Sequence, residues 1–342
     1  MTLQVELFAG PGTEWDACVQ TATGWTHFQR WDWKAVIEQV FGHECVYLAA
    51  RDDSGRLAGV LPLVRAKSLL FGDYLVSMPF LNYGGPLGTD AAVQALVGRA
   101  TELARERGVD LLELRSRERL PLDVPVSHRK ITCLLDLAPG DPEATWGALT
   151  SNVRRKIRRA QKEGFTVRFG LDNLHGFYQV FSRHMRDLGT PTLSRRFFAA
   201  LVERFAADVW IGCVYADQRP VAAGFGFRCN DELELTWVSA LQEYHRVYAN
   251  MLLYWDFIER AARQGLRVFN FGRCTPGGGT HAFKQQWGAR DVPLRWYQPL
   301  GGRRAATPSP NEGAFAWGPR VWKRLPLALA NALGPSIVRM IP

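Results

Sequence analysis

The order of elements along the chain predicts an α/β protein of two similar halves, each built on a mixed sheet. Three observations lead there. The segment from Glu232 to Gly288 reads as a strand (232–238), a polar loop (242–249), a helix (250–264) and a strand (267–271), then Gly272-Arg273 and Phe283-Lys284-Gln285-Gln286-Trp287-Gly288. A strand, a short helix and a strand make a crossover, so the two strands should lie parallel. The first half repeats the order, with a helix from Asp90 to Gly108 and a strand from Val109 to Arg115 after an apparent hairpin. Finally, 342 residues that are 47% hydrophobic and 12% aromatic are enough for two cores of ordinary size.

In chain order, residues 13–41 read as helical, with Trp15, Trp25, Trp31 and Trp33 on their apolar faces. Strands 45–50 and 56–64 form a hairpin around Asp52-Asp53-Ser54-Gly55. A strand at 74–77 leads into Met78-Pro79-Phe80-Leu81-Asn82-Tyr83-Gly84-Gly85-Pro86, too rich in Gly and Pro for a regular element. Residues 130–137 read as a strand of the first half. Pro142, at a favoured first-turn position, opens a long helix to about Lys162 that joins the halves. Helices at 173–188 and 194–207 and a hairpin of strands 209–215 and 220–228 precede the crossover. Ala58-Gly59 and Ala223-Gly224 hold the same place in the two hairpins, and each crossover helix ends at a glycine, Gly108 or Gly265. Both coincidences point to duplication.

The net charge of +9 is local. Residues 151–162 hold six basic side chains and no acid, and residues 303–342 hold six against Glu312 alone. Local basicity of this kind points to specific anionic partners. On a helix, Arg154, Arg158 and Lys162 share one stripe and Arg155 with Arg159 the next. Arg154, Arg155 and Arg158 are therefore candidate phosphate ligands, with a solvated face as the plain alternative. The six cysteines include no C-x-x-C pair and read as small buried hydrophobes in a reducing compartment, so no metal site is expected. Residues 1–7 read as a strand rather than a leader, and no stretch is long enough to span a membrane. The expected location is cytoplasmic. Trp317, Trp322, Lys323, Arg324 and the apolar run to Leu333 suit either an anionic membrane surface or the protein's own surface.

The crossover, Asn270-Phe271-Gly272-Arg273 and the Phe-Lys-x-x-Trp-Gly segment together resemble the second half of the FemAB-type transferases. More narrowly, they are similar to the FemAB-related proteins that accompany exosortase (PEP-CTERM) systems and exopolysaccharide gene clusters. The resemblance implies two tandem GNAT-like (acyl-CoA N-acyltransferase-like) domains with mixed sheets, joined by a basic helix. The boundaries it suggests are 1–140, 141–300 with the linking helix 142–162, and a tail at 301–342. It also implies transfer of an acyl or aminoacyl group to an amine of a cell-envelope or exopolysaccharide precursor, anionic or lipid-linked. No cofactor is expected to be tightly bound. The co-substrate is acyl-CoA or aminoacyl-tRNA, and tRNA is a partner in the second case. The absence of the long helical arm of many FemAB enzymes favours the small donor.

In that family the lysine matching Lys284 lies at the reaction centre, which makes Lys284 with Arg273 the candidate catalytic pair. The family's aromatic before Phe-Lys is replaced here by His281-Ala282. Arg246, Tyr248 and Asn250, with Asn250 as N-cap, are candidate acyl-donor ligands, although the glycines of the usual GNAT acetyl-CoA loop are missing. The loop Asn82-Tyr83-Gly84-Gly85 resembles a recurrent loop of the exosortase-associated group and is the candidate acceptor site; a tight turn explains its glycines as well. A second expectation, from another class, is a non-catalytic membrane-surface protein that binds anionic precursors.

Overall fold

The computed structural model describes residues 3–68, 71–301 and 318–341. The first elements are β1 (Gln4–Leu7), α1 (Gly12–Thr21), α2 (Trp33–Phe41), β2 (Glu44–Arg51), β3 (Leu57–Ser68), β4 (Gly72–Val76), β5 (Leu87–Gly88), α3 (Asp90–Glu106) and β6 (Leu111–Ser116). Next come β7 (Val126–Asp136), α4 (Pro142–Ala148), α5 (Ser151–Gln161), β8 (Thr166–Phe169), α6 (Leu174–Leu188), α7 (Arg195–Phe205), β9 (Val209–Ala216) and β10 (Arg219–Cys229). The chain closes with β11 (Glu232–Ala240), α8 (Ala249–Arg263), β12 (Val268–Cys274), α9 (Gly279–Gln285), β13 (Arg290–Leu300), α10 (Gly318–Trp322) and α11 (Leu327–Val338). Two compact units result, one from Met1–Lys130, Pro293–Ser309 and Ile337–Pro342, the other from Ile131–Val292 and Pro310–Ser336.

In the first unit the strands run β1-β2-β3-β4-β6-β13, with the short β5 on β3. The β2–β3 hairpin is antiparallel, and β4 pairs parallel with β6 across the α3 crossover. The second unit repeats this. Its strands run β7-β12-β11-β10-β9-β8, with an antiparallel β9–β10 hairpin and a parallel β11–β12 pair joined by α8. The paired glycines have a packing reason. A Cβ on Gly59 would lie 2.9 Å from Ala92 of α3, and one on Gly224 would lie 2.8 Å from the Phe257 ring of α8. Each lets the crossover helix settle on its hairpin.

Three sequence expectations are corrected. Residues 13–41 are not continuously helical, because Thr26 and Gln29 cap a short 3-10 turn at His27–Gln29 between α1 and α2. The helix expected over 142–162 breaks at Leu149–Thr150. The Thr150 hydroxyl accepts from the Val153 amide and starts α5 afresh, so the basic helix is Ser151–Gln161 alone. Asn250 is not the N-cap of α8; Tyr248 is, with φ +60°.

Residues 318–336 of the tail pack on the second unit. Arg186 Nη1 donates to the Leu325 carbonyl at 2.9 Å, Asn331 Nδ2 to Ser182 Oγ at 3.5 Å, and Trp322 is buried. Val321, Leu329 and Leu333 stay about half exposed, and Trp317 lies outside the described residues. No helix among the described residues is long and apolar enough to cross a membrane.

Candidate active site

The second unit opens where β11 and β12 part. They pair at Glu232↔Val268, Leu233↔Phe269 and Glu234↔Asn270 and then stop, although β11 runs on to Ala240 and β12 to Cys274. Two bulges separate them. On β11, Trp237 faces Phe225 of β10 and Leu235 faces Gly226, which leaves Thr236 as the extra residue. Gly226 is required there, since a Cβ would come within 2.3 Å of the Glu234 carbonyl. On β12 the register against β7 shifts between Asn270 and Arg273, with Gly272 at φ +72°. Beyond Glu234 the β12-facing edge of β11 has no strand partner among the described residues. The Thr236 and Ser239 hydroxyls beside it are buried without a hydrogen-bond partner. Buried polar groups of this kind suit a bound ligand.

A buried polar cluster locks the base of the opening. The Asn270 side chain, fully buried, donates to Glu232 Oε1 at 2.7 Å and accepts from Thr132 Oγ1 at 2.6 Å and from the Gly272 amide at 2.8 Å. Lys284 is 2% exposed, and its Nζ donates to the Gly272 carbonyl at 2.6 Å and the Arg273 carbonyl at 3.1 Å. Burial pulls its ammonium below the usual lysine range, against nearby Cys274, Cys133 and Glu234. The lysine predicted to act on a reacting carbonyl thus grips two backbone carbonyls at the β12 bulge. Arg273 lies half-buried on that bulge.

Cys133 and Cys274, read from the sequence as small buried hydrophobes, His281, named there only as a replacement for the family's aromatic, and Asp291, which sequence reasoning passed over, surround this lysine. Cys133 Sγ lies 3.6 Å from Cys274 Sγ and 3.6 Å from Asp291 Oδ1. Cys274 is the more acidic thiol, because Cys133 hydrogen-bonds to it and the Lys284 ammonium is close, while the Cys133 thiol is pushed up. His281 accepts from the Gly277 amide at Nδ1 (3.0 Å), so its proton sits on Nε2, facing Asp291 at 2.9 Å. Nothing local in the sequence signals this group, since strand pairing joins residues 141 positions apart.

At the other end of the opening, α8 begins directly after a 3-10 turn at Gln242–Val247. Arg246 is exposed and Tyr248 and Asn250 are half-buried at this helix start, where the first amides lack intrahelical partners. Two cations of α5 cover the Tyr248 ring, with Arg159 at 5.4 Å and Lys156 at 6.0 Å from its centroid. The predicted phosphate ligands divide. Arg154 Nη1 donates to the Gly147 carbonyl at 2.7 Å and closes the end of α4, Arg158 sits over the Trp146 ring at 5.5 Å, and the exposed Arg155 reaches Asn152 at 2.9 Å. The α5 cations that meet the α8 start are therefore Lys156 and Arg159.

In the first unit, Asn82, Tyr83, Gly84 and Gly85 are all buried. A Cβ on Gly84 would lie 2.4 Å from Met78, and one on Gly85 2.9 Å from the Arg115 carbonyl, so packing accounts for both glycines. Tyr83 lines a cavity of about 280 Å³ with Gln29, Asp90, Arg117 and Arg119; Asn82, Gly84 and Gly85 do not.

Residues 148–285, which hold the basic helix, the opening and Lys284, match the family profile described as "Acetyltransferase (GNAT) domain". The second unit thus carries the stretch that is similar to a GNAT domain. Among solved structures the chain is similar to FemX, at 14% identity and a TM-score of 0.65, over 88% of this chain and 98% of that one. It is also similar to L-PGS from Bacillus licheniformis (13%, TM-score 0.57, 92% and 98%). A third is the tandem GNAT protein from the clavulanic acid biosynthesis pathway (13%, TM-score 0.53, 87% and 99%). The fold is therefore a mixed α/β, tandem GNAT-like one. Among curated proteins no sequence matches it.

Proposed function

We propose that the protein is an N-acyltransferase whose donor lies in the opening between β11 and β12. The observation that supports this best is the arrest of parallel pairing at Glu234↔Asn270, which leaves one edge of β11 and two buried hydroxyls to meet an extended, amide-bearing donor arm. The donor's phosphates would meet the first amides of α8 between Arg246, Lys156 and Arg159, with Tyr248 and Asn250 at the same helix start. Acyl-CoA fits such a site. Aminoacyl-tRNA is the alternative donor, consistent with the likeness to FemX.

In this reading Lys284 is a positioning residue. It fixes the Gly272–Arg273 bulge so that Arg273 and the adjacent backbone face the reacting carbonyl. The amine acceptor belongs to an anionic cell-envelope or exopolysaccharide precursor of the exosortase-associated kind. The exposed Arg155 of the second unit is its candidate contact, and the apolar face at Val321, Leu329 and Leu333 would bring the protein to an anionic membrane surface.

Thermal stability measured with acyl-CoAs, free CoA and charged tRNA tests the donor. One donor at a hundred times its dissociation constant should add about 2.7 kcal/mol. Arg159→Glu should abolish that gain while leaving the unliganded melting temperature near wild type. No stabilisation by any of these donors would leave the non-catalytic binding protein as the better reading.

A further inference from the structure

Cys133, His281 and Asp291 each offer a ligand atom, and the three atoms lie within 4.8 Å of one another. Cys274 Sγ stands 3.6 Å from Cys133 Sγ. The four side chains come from β7, β12, α9 and the start of β13, so they converge through the fold and not through a local loop. Cys133, Cys274 and His281 are buried, whereas Asp291 opens to the surface. We propose that they form a zinc site of the closed, four-ligand kind.

Two of the spacings fit the ion, while Cys274 Sγ, outside the group of three, has to move toward His281 and Asp291 to complete the set. With zinc–sulfur bonds of about 2.3 Å and zinc–nitrogen or zinc–oxygen bonds of about 2.0 Å, tetrahedral geometry sets two sulfurs about 3.8 Å apart and a sulfur and an oxygen about 3.5 Å apart. The corresponding separations here are both 3.6 Å. His281 Nε2 and Asp291 stand 2.9 Å apart and need to open slightly. Charge fits as well. Two thiolates, a carboxylate and a neutral imidazole around a divalent cation leave one negative charge, and the nearby ammonium of Lys284 balances it.

One bond has to change. Metal on Nε2 moves the imidazole proton to Nδ1, so the Gly277 amide can no longer donate to that nitrogen. The run Gly277-Gly278-Gly279 gives the turn freedom to swing away. Zinc would pin β7, β12, α9 and β13 around Lys284 and the β12 bulge. That role is independent of which acyl donor, if any, the protein uses.

The test uses the full chain, purified in reductant, stripped of metal and titrated with cobalt(II). The expected result is one equivalent bound, with a thiolate-to-cobalt charge-transfer band that zinc bleaches. Cys133→Ser and Cys274→Ser should each lose the band, and Asp291→Asn should alter the ligand-field spectrum. Absence of the band in the wild-type chain overturns the proposal without any variant needing to fold. So does a band that survives both cysteine substitutions.

Discussion

Replacing Lys284 by methionine separates a lysine that holds the backbone from one that works on substrate. Methionine keeps the length and apolar stem but removes the donors to the Gly272 and Arg273 carbonyls, at 2.6 and 3.1 Å. A hydrogen bond from a charged donor contributes about 1.5–3 kcal/mol net, and a buried carbonyl left bare costs a further 1–3 kcal/mol. Against this, the variant no longer buries an ammonium that is 2% exposed, which returns part of the loss. The balance is a destabilisation of about 2–4 kcal/mol. In a unit of this size that corresponds to a fall in melting temperature of about 4–16 °C. Urea unfolding should show the midpoint shift with the slope unchanged. If Lys284→Met were as stable as wild type, to within about 0.5 kcal/mol, and yet inactive, the lysine would be acting on substrate and the positioning role would be wrong.

Two further outcomes follow from other parts of the structure. Burial raises the Asp256 carboxyl to about 7, opposed only by Arg260. The folded protein therefore keeps a proton that the unfolded chain gives up, and stability falls as pH rises from the ordinary carboxyl range to about 7. After discounting for partial exposure, Asp256→Asn should stabilise the protein by about 1–2 kcal/mol at about pH 8 and scarcely at about pH 4, as read from melting curves. Gly85→Ala should destabilise by about 1–3 kcal/mol in chemical unfolding, because its Cβ would press on the Arg115 carbonyl at 2.9 Å. An unchanged midpoint would mean that the glycine serves something other than packing.

How much could be read from the sequence varied with how local the cause was. Both crossovers and both hairpins were legible because strand and helix periods, turn residues and terminal glycines act over a few positions. The break before α5 was equally local: Thr150 carries an N-cap signal that the run of basic residues obscured. The burial of Asn82 and Tyr83 was not legible, since Gly84 and Gly85 are required by Met78 and by Arg115, a residue thirty positions on. Lys284 was found through a motif, but its carbonyl partners depend on a bulge that only the β7–β12 register reveals. The Cys133, Cys274, His281 and Asp291 group has no spacing signature, because its first member reaches the others only through sheet pairing. Thr236 and Ser239 looked like ordinary strand residues, and parting strands are a property of two elements at once.

Hydrogen exchange with and without a saturating acyl-CoA tests the central claim most directly. If the donor lies between β11 and β12, amides of residues 235–240 and those at the start of α8, 248–252, should exchange more slowly when it is bound, while the β2–β3 hairpin is unaffected. Protection confined to the first unit, or none in β11 under conditions where binding is demonstrated, would contradict it.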